Sequence, residues 1–147
     1  MVINSPSDPT GAVYDWATLD RIGDLALDAG LWIISEESYS SFIFTGARRQ
    51  ESVVMARPRV CSRTIVVNAL SHELATMGWR LGCLAAPGEI VLAVMRRRHC
   101  HAAALPSVTA QSAILHHIQV SDGSFKRAIH QRLPTTQYRS SYLIRSA

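Results

Sequence analysis

The chain is predicted to be an α/β protein with a mainly parallel sheet and flanking helices. Two observations carry this. Short continuous apolar runs, Leu31-Trp32-Ile33-Ile34 and Thr64-Ile65-Val66-Val67-Asn68, have the character of strands buried on both faces. Between and after such runs lie segments whose apolar residues recur at helical spacing, and this alternation of strand and helix defines a layered α/β architecture.

In chain order, Val2-Ile3 reads as the end of a strand that feeds a proline-rich turn over residues 4–11. Asp15 suits a helix N-cap and Gly30 a helix stop. Between them Leu19, Ile22, Leu25, Ala26 and Ala29 mark one apolar face of a helix over 16–29. The run 31–34 follows as a strand, then 64–68 as a second β-branched strand. Residues 81–86 form a third, closed by Pro87-Gly88. Helices are expected over about 89–100 and 106–119, with Pro106 in the first turn of the latter. Lys126 to Arg132 has helical character that Pro134 interrupts.

At 147 residues the chain has one domain's length, and 48% hydrophobic residues suffice for a core. The net charge of +4 comes from fourteen arginines and one lysine, Lys126. Arg96-Arg97-Arg98 and Arg57, Arg59 and Arg63 read as solvated faces. They do not form an aromatic-interleaved basic patch, so nucleic acid is not an expected partner. Cys61, Cys83 and Cys100 form no Cys-x-x-Cys pair and are odd in number, which points to reduced thiols and a cytoplasmic setting. No apolar run is long enough to cross a bilayer, and no signal peptide is visible after Met1.

Three segments carry the chemistry. The first is Asn4-Ser5-Pro6-Ser7-Asp8-Pro9-Thr10-Gly11 and the second Ile33-Ile34-Ser35-Glu36-Glu37-Ser38-Tyr39. The third runs from Asn68 through Ser71-His72-Glu73 to Gly78-Trp79-Arg80-Leu81-Gly82. In this order and at these separations they resemble the Asn-Pro-x-Asn-Pro-Thr-Gly turn, the Asp-Glu-x-Tyr strand end and the lysine segment with Gly-Trp-Arg-x-Gly of the class I/II aminotransferases. The likeness runs from about Val2 to about Val120.

That resemblance implies part of the large domain of a fold-type-I, pyridoxal-phosphate-dependent enzyme over 1–120. Residues 121–147 would then be the start of a small-domain-like segment or an irregular tail. It also implies a chain that begins inside the large domain, without the phosphate loop, the ring-stacking aromatic and the C-terminal substrate arginine. The implied reaction is amino-group transfer between an amino acid and a 2-oxo acid.

The family's tasks then fall on particular residues. His72 stands where the Schiff-base lysine belongs. Imidazole forms no stable imine with an aldehyde, although it can act as a base or stand as an inert loop residue. Glu36 stands where an aspartate salt-bridges the pyridine nitrogen, with one methylene more, and displacements of about 1 Å matter at such sites. Asp8 replaces an asparagine that donates to the cofactor's phenolic oxygen, and an ionised carboxylate has no donor. Tyr39 is retained to hydrogen-bond that oxygen, and Ser71 precedes the lysine position. Arg80 is retained as a fork donor for phosphate, whereas Ala69 lacks the donor usual at its place.

Other readings of these residues are weaker. His72-Glu73-Leu74-Ala75-Thr76 opens like the zinc motif His-Glu-x-x-His, but Thr76 replaces the second histidine. His99, Cys100 and His101 with His116 or His117 have no standard ligand spacing, so no metal is expected. Ser71, His72 and Glu73 are neighbours and cannot orient as a triad. Trp32 and Trp79 read as core.

The expected function is that of an aminotransferase relative impaired at its lysine position, with pyridoxal phosphate held weakly and non-covalently if at all. Alternatives are half of a transaminase completed by another chain, or a non-enzymatic interaction protein that recruits a partner through an incomplete sheet edge. Expected partners are a second copy of the chain or a complementing aminotransferase chain, with an amino acid as substrate if the protein is active.

Overall fold

The computed structural model describes residues 1–40, 42–43, 51–74, 76–100 and 106–120, with the side chains of 98–100 left aside. Strand β1 (Val2–Asn4) leads through a long turn to helix α1 (Trp16–Asp28) and strand β2 (Ile33–Glu36). A short helix α2 (Val53–Ala56) and a 3-10 turn (Pro58–Arg63) precede β3 (Thr64–Asn68). Then come α3 (Leu70–Glu73), a 3-10 turn (Met77–Trp79), β4 (Cys83–Ala85), α4 (Gly88–Cys100) and α5 (Val108–Val120). The expectation placed on 121–147, with Lys126, lies outside the described residues, as does that on His101.

The sheet order is β1-β2-β3-β4, with β1, β2 and β3 parallel and β4 antiparallel to β3. The mainly parallel α/β fold is therefore as expected. Helix α1 starts where its cap requires, because the Asp15 carboxylate accepts the Thr18 amide at 2.8 Å. It ends at Gly30, whose φ of 63° lets the chain turn into β2. The second strand lies two residues later than the apolar run suggests. Its place is set by pairing, Ile33 with Thr64 and Ile34 with Val2, so polar Ser35 and Glu36 join the ladder.

One face of the sheet makes the main core. Ile3 and Ile33 pack with Leu19 and Ala26 of α1, Val53 and Ala56 of α2, and Val60. Gly23 lies in this layer, and a methyl there would stand 2.7 Å from the Arg57 Cβ. Arg57 itself is paired to Asp20 at 3.2 Å and also to Asp24, and Arg63 donates to the Gly30 carbonyl at 2.7 Å. These two arginines thus tie elements together, Arg63 from the exposed face expected of it and Arg57 from a partly buried position. A second small core joins Leu74 and Leu81 to Ala110 and Ile114 of α5.

Several burial expectations are corrected. Strand β2 is not covered on both faces: Ile33 is fully buried and Ile34 is 41% exposed. The register puts Val2, Ile34 and Ile65 on one face, joined further along by Val67 and Leu84. Val2 and Leu84 are exposed as well. Trp32 and Trp79 are exposed, not core, because Trp32 precedes β2 on this same open side and Trp79 sits in a surface turn. In α1, Leu25 and Ala29 face solvent, and the buried stripe is Leu19, Gly23 and Ala26. Pro106 lies ahead of α5, not in its first turn. Ser107 caps that helix through Oγ to the Ala110 amide at 3.3 Å, and the Pro106 carbonyl accepts from Gln111.

Candidate functional site

Parallel strands place their carboxyl ends along one edge, which is where open α/β sheets bind ligands. Here the loops after β1, β2 and β3 bring Asp8, Tyr39 and His72 together at that edge. The loop after β1 is pinned across the strand ends. Ser5 N donates to the Glu36 carbonyl at 3.4 Å, and the Ser5 Oγ accepts the Tyr14 amide at 3.0 Å. Gly11, at φ 71°, closes the turn with its amide on the Ser7 carbonyl at 2.7 Å.

The Tyr39 hydroxyl donates to Asp8 Oδ2 at 3.0 Å. Its ring lies 4.8 Å from the His72 ring, at an interplanar angle of 34°. Burial raises the Tyr39 pKa above its ordinary value of 10.0, aided by the hydrogen bond to Asp8 and the charges of Asp8 and Glu36. The phenol thus stays protonated at neutral pH and acts as a donor. A raised folded-state pKa means that the stabilisation is complete below the ordinary pKa near 10 and is lost as pH rises through the raised value. Asp8→Asn removes an acceptor charge and is expected to bring Tyr39's ionisation down toward 10, read by ultraviolet absorbance titration of the folded chain. An unchanged titration would show that Asp8 does not act on Tyr39.

Glu36 ends β2, and its Oε1 accepts the Ser38 amide at 3.0 Å. Ser71 is buried and its hydroxyl donates to the Leu81 carbonyl at 3.4 Å. Glu73 is buried and accepts from Ser40 at 2.6 Å. Ser71, His72 and Glu73 therefore point to three different environments. Arg80 is exposed, with φ 53° and ψ 48°. It is the one non-glycine residue at positive φ among those described, and such backbone positions cluster at ligand sites.

A cleft of about 700 Å³ opens beside this turn, bordered by Asn68, Ser71, His72, Trp79, Arg80 and Ser107 among others. The buried Asn68 Oδ1 has no hydrogen-bond partner among the described residues. His72 is the residue shared by the cleft and the Asp8–Tyr39 pair. Asp8 and Tyr39 thus meet beside His72, with Glu36 near enough for its charge to act on Tyr39, while Ser71 and Arg80 border the cleft with His72. Sequence reasoning missed Ser38 and Ser40, and weighed Glu73 only for a zinc motif or a triad. Their bonds join positions more than thirty residues apart, and no local pattern signals them. Gly82 is close-packed, since a methyl would stand 3.0 Å from the Asn68 carbonyl oxygen. The His99–Cys100 candidates for metal lie among side chains that are not described.

The family "Aminotransferase class I and II" matches residues 1–141. The chain is 33% identical over 115 residues to an aspartate aminotransferase of Geobacillus stearothermophilus, covering 78% of this chain and 29% of that one. It is 38% identical over 96 residues to aromatic-amino-acid aminotransferase 2 of Thermococcus litoralis, covering 65% and 24%. The solved aromatic aminotransferase of Pyrococcus horikoshii superposes with a TM-score of 0.80 at 34% identity, covering 88% of this chain and 34% of that one. The chain therefore spans only about a quarter to a third of the length of these relatives. Its structural neighbours are fold-type-I aminotransferases, pyridoxal-phosphate-dependent enzymes whose cofactor this site resembles a holder of. By the family match, the sequence identity and the superposition, this chain belongs to the class I and II aminotransferase family.

Proposed function

We propose that this chain carries an altered aminotransferase cofactor site, which holds pyridoxal phosphate without a covalent bond and does not transfer amino groups by itself. The observation that carries this reading is His72, which follows Ser71 in the family's lysine segment and packs on Tyr39 beside the cleft. The residues fit the cofactor at one end and not at the other. Arg80, exposed on the cleft, offers planar N–H donors that suit a phosphate. At the ring end the Tyr39 donor is engaged by Asp8, and one Glu36 oxygen is engaged by Ser38. His72 supplies no amine. The fit is thus to a phosphate-bearing ring held in place, not to a tethered one.

When bound, pyridoxal phosphate supplies an electron sink. Arg80 would hold the phosphate charge, Glu36 would supply a carboxylate for the ring nitrogen, and Tyr39 keeps its proton. His72 offers ring nitrogens to a proton, but it cannot replace a lysine as nucleophile.

The test is a titration of the purified chain with pyridoxal phosphate by absorbance, with inorganic phosphate as competitor, then borohydride reduction and peptide mapping. Saturable binding competed by phosphate is expected, with no adduct on residue 72. Arg80→Gln is expected to weaken it about 10- to 100-fold, since hydrogen bonds to charged groups contribute roughly 1.5–3 kcal/mol. An adduct on Lys126 or on a partner's lysine, with amino transfer, would overturn the proposal.

A second reading, half of a transaminase completed by another chain, draws support from the uncovered sheet face of Val2, Ile34 and Leu84. Parallel sheets are ordinarily covered on both sides. The occupant would be a second copy or a complementing aminotransferase chain, and an amino acid the substrate. Among the described residues no helix is long and apolar enough to cross a membrane.

A further inference from the structure

We infer that Ser40 and Glu73 are positioning residues that hold the Tyr39 ring against His72. Among the described residues, three hydrogen bonds made by side chains join the loop after β2 to the end of β3 and the segment that follows it. Asn68 Nδ2 donates to the Glu37 carbonyl at 2.8 Å, and the Ala69 amide donates to Ser38 Oγ at 2.9 Å. Ser40 Oγ donates to Glu73 Oε1 at 2.6 Å.

The first two bonds lie on the strand side of the ring pair, and the third lies beyond it. Ser40 directly follows Tyr39 and Glu73 directly follows His72, so closing the third bond brackets the pair from its far end. The third bond is also the strong one, because a carboxylate acceptor shortens and strengthens a hydroxyl donor's bond. A carboxylate as buried as Glu73, 6% exposed, makes its loss costly. The consequence for the site is that His72 forms a fixed wall of the cleft, packed on Tyr39 at a tilt of 34°, while the Tyr39 hydroxyl remains directed at Asp8.

This inference deepens the reading of the cleft as a ligand site, but its test needs no ligand. A histidine proton over the face of a phenol ring is shielded and resonates upfield. In the intact 147-residue chain with labelled histidines, the His72 signal is identified by its loss in His72→Gln. Its unshielded position is taken from Tyr39→Leu. Ser40→Ala is expected to move the signal downfield by most of the shift that Tyr39→Leu causes. Ser40→Thr, which keeps the donor, is expected to restore it.

A folded Ser40→Ala chain whose His72 signal stays in place rejects the positioning role. Should Ser40→Ala not fold, Glu73→Ala breaks the same bond from the other side and is read in the same way. Failure of both to fold assigns the bond to stability alone and overturns the inference. A chain that passes this test yet binds no phosphate would refute the proposed function without touching the ring pairing.

Discussion

His72→Lys is expected to turn a chain with no covalent cofactor chemistry at residue 72 into one that forms a borohydride-stable pyridoxal phosphate adduct there. The change is all-or-none, because imidazole makes no stable imine and a primary amine does. Position 72 lies in α3 on the cleft wall, with the Tyr39 ring 4.8 Å from the His72 ring. The adduct is expected to form slowly at pH 7 and faster as pH rises. A lysine amine has an ordinary pKa near 10.4, and the carboxylates of Asp8 and Glu36, whose charges both act on Tyr39, favour its protonated form. Amino transfer is expected to stay far below that of a family enzyme, since Asp8 and Glu36 remain. Peptide mapping after reduction measures the outcome. A folded His72→Lys chain without an adduct would mean that this edge of the sheet is not a cofactor site, and the proposed function would fail with it.

Much of this site could be read before the structure because it lies in local strings. Asp8, Glu36, Tyr39, Ser71, His72 and Arg80 each sit at a fixed offset within a short motif, and each motif follows a strand of one parallel sheet. Their convergence is then a consequence of strand direction. The fold was readable where one physical signal dominates. The β-branched run at Thr64–Asn68 is a strand to the residue, and the Asp15 cap and Gly30 bound α1. It was not readable where partners decide. The helix at Val53–Ala56 and the 3-10 turn at Pro58–Arg63 are too short to show a period. Glu37 accepts from Ser35 at 2.8 Å and from Ser52 at 2.7 Å, joining β2 to the start of α2, and nothing in the local string announces that. The apolar run at 31–34 reports that a strand is present but not which of its faces finds a cover.

That last question has a direct measurement. Ile33 and Ile34 are adjacent, chemically identical and on opposite faces of β2. Ile33→Ala is expected to cost about 2–5 kcal/mol, the range for emptying a packed aliphatic site, because Ile33 is fully buried against the α1–α2 layer. Ile34→Ala, at 41% exposure, is expected to cost about 1 kcal/mol or less, chiefly through strand propensity. Urea unfolding followed by tryptophan fluorescence compares the two. If Ile34→Ala proves as costly as Ile33→Ala, the open face is covered in solution. The concentration dependence of the wild-type midpoint then identifies the cover. Association with a second copy raises the midpoint with protein concentration, by mass action, whereas cover from within the chain does not. A midpoint that rises only when an aminotransferase chain is added would move the balance from an impaired cofactor site to the second reading, a transaminase assembled from two polypeptides.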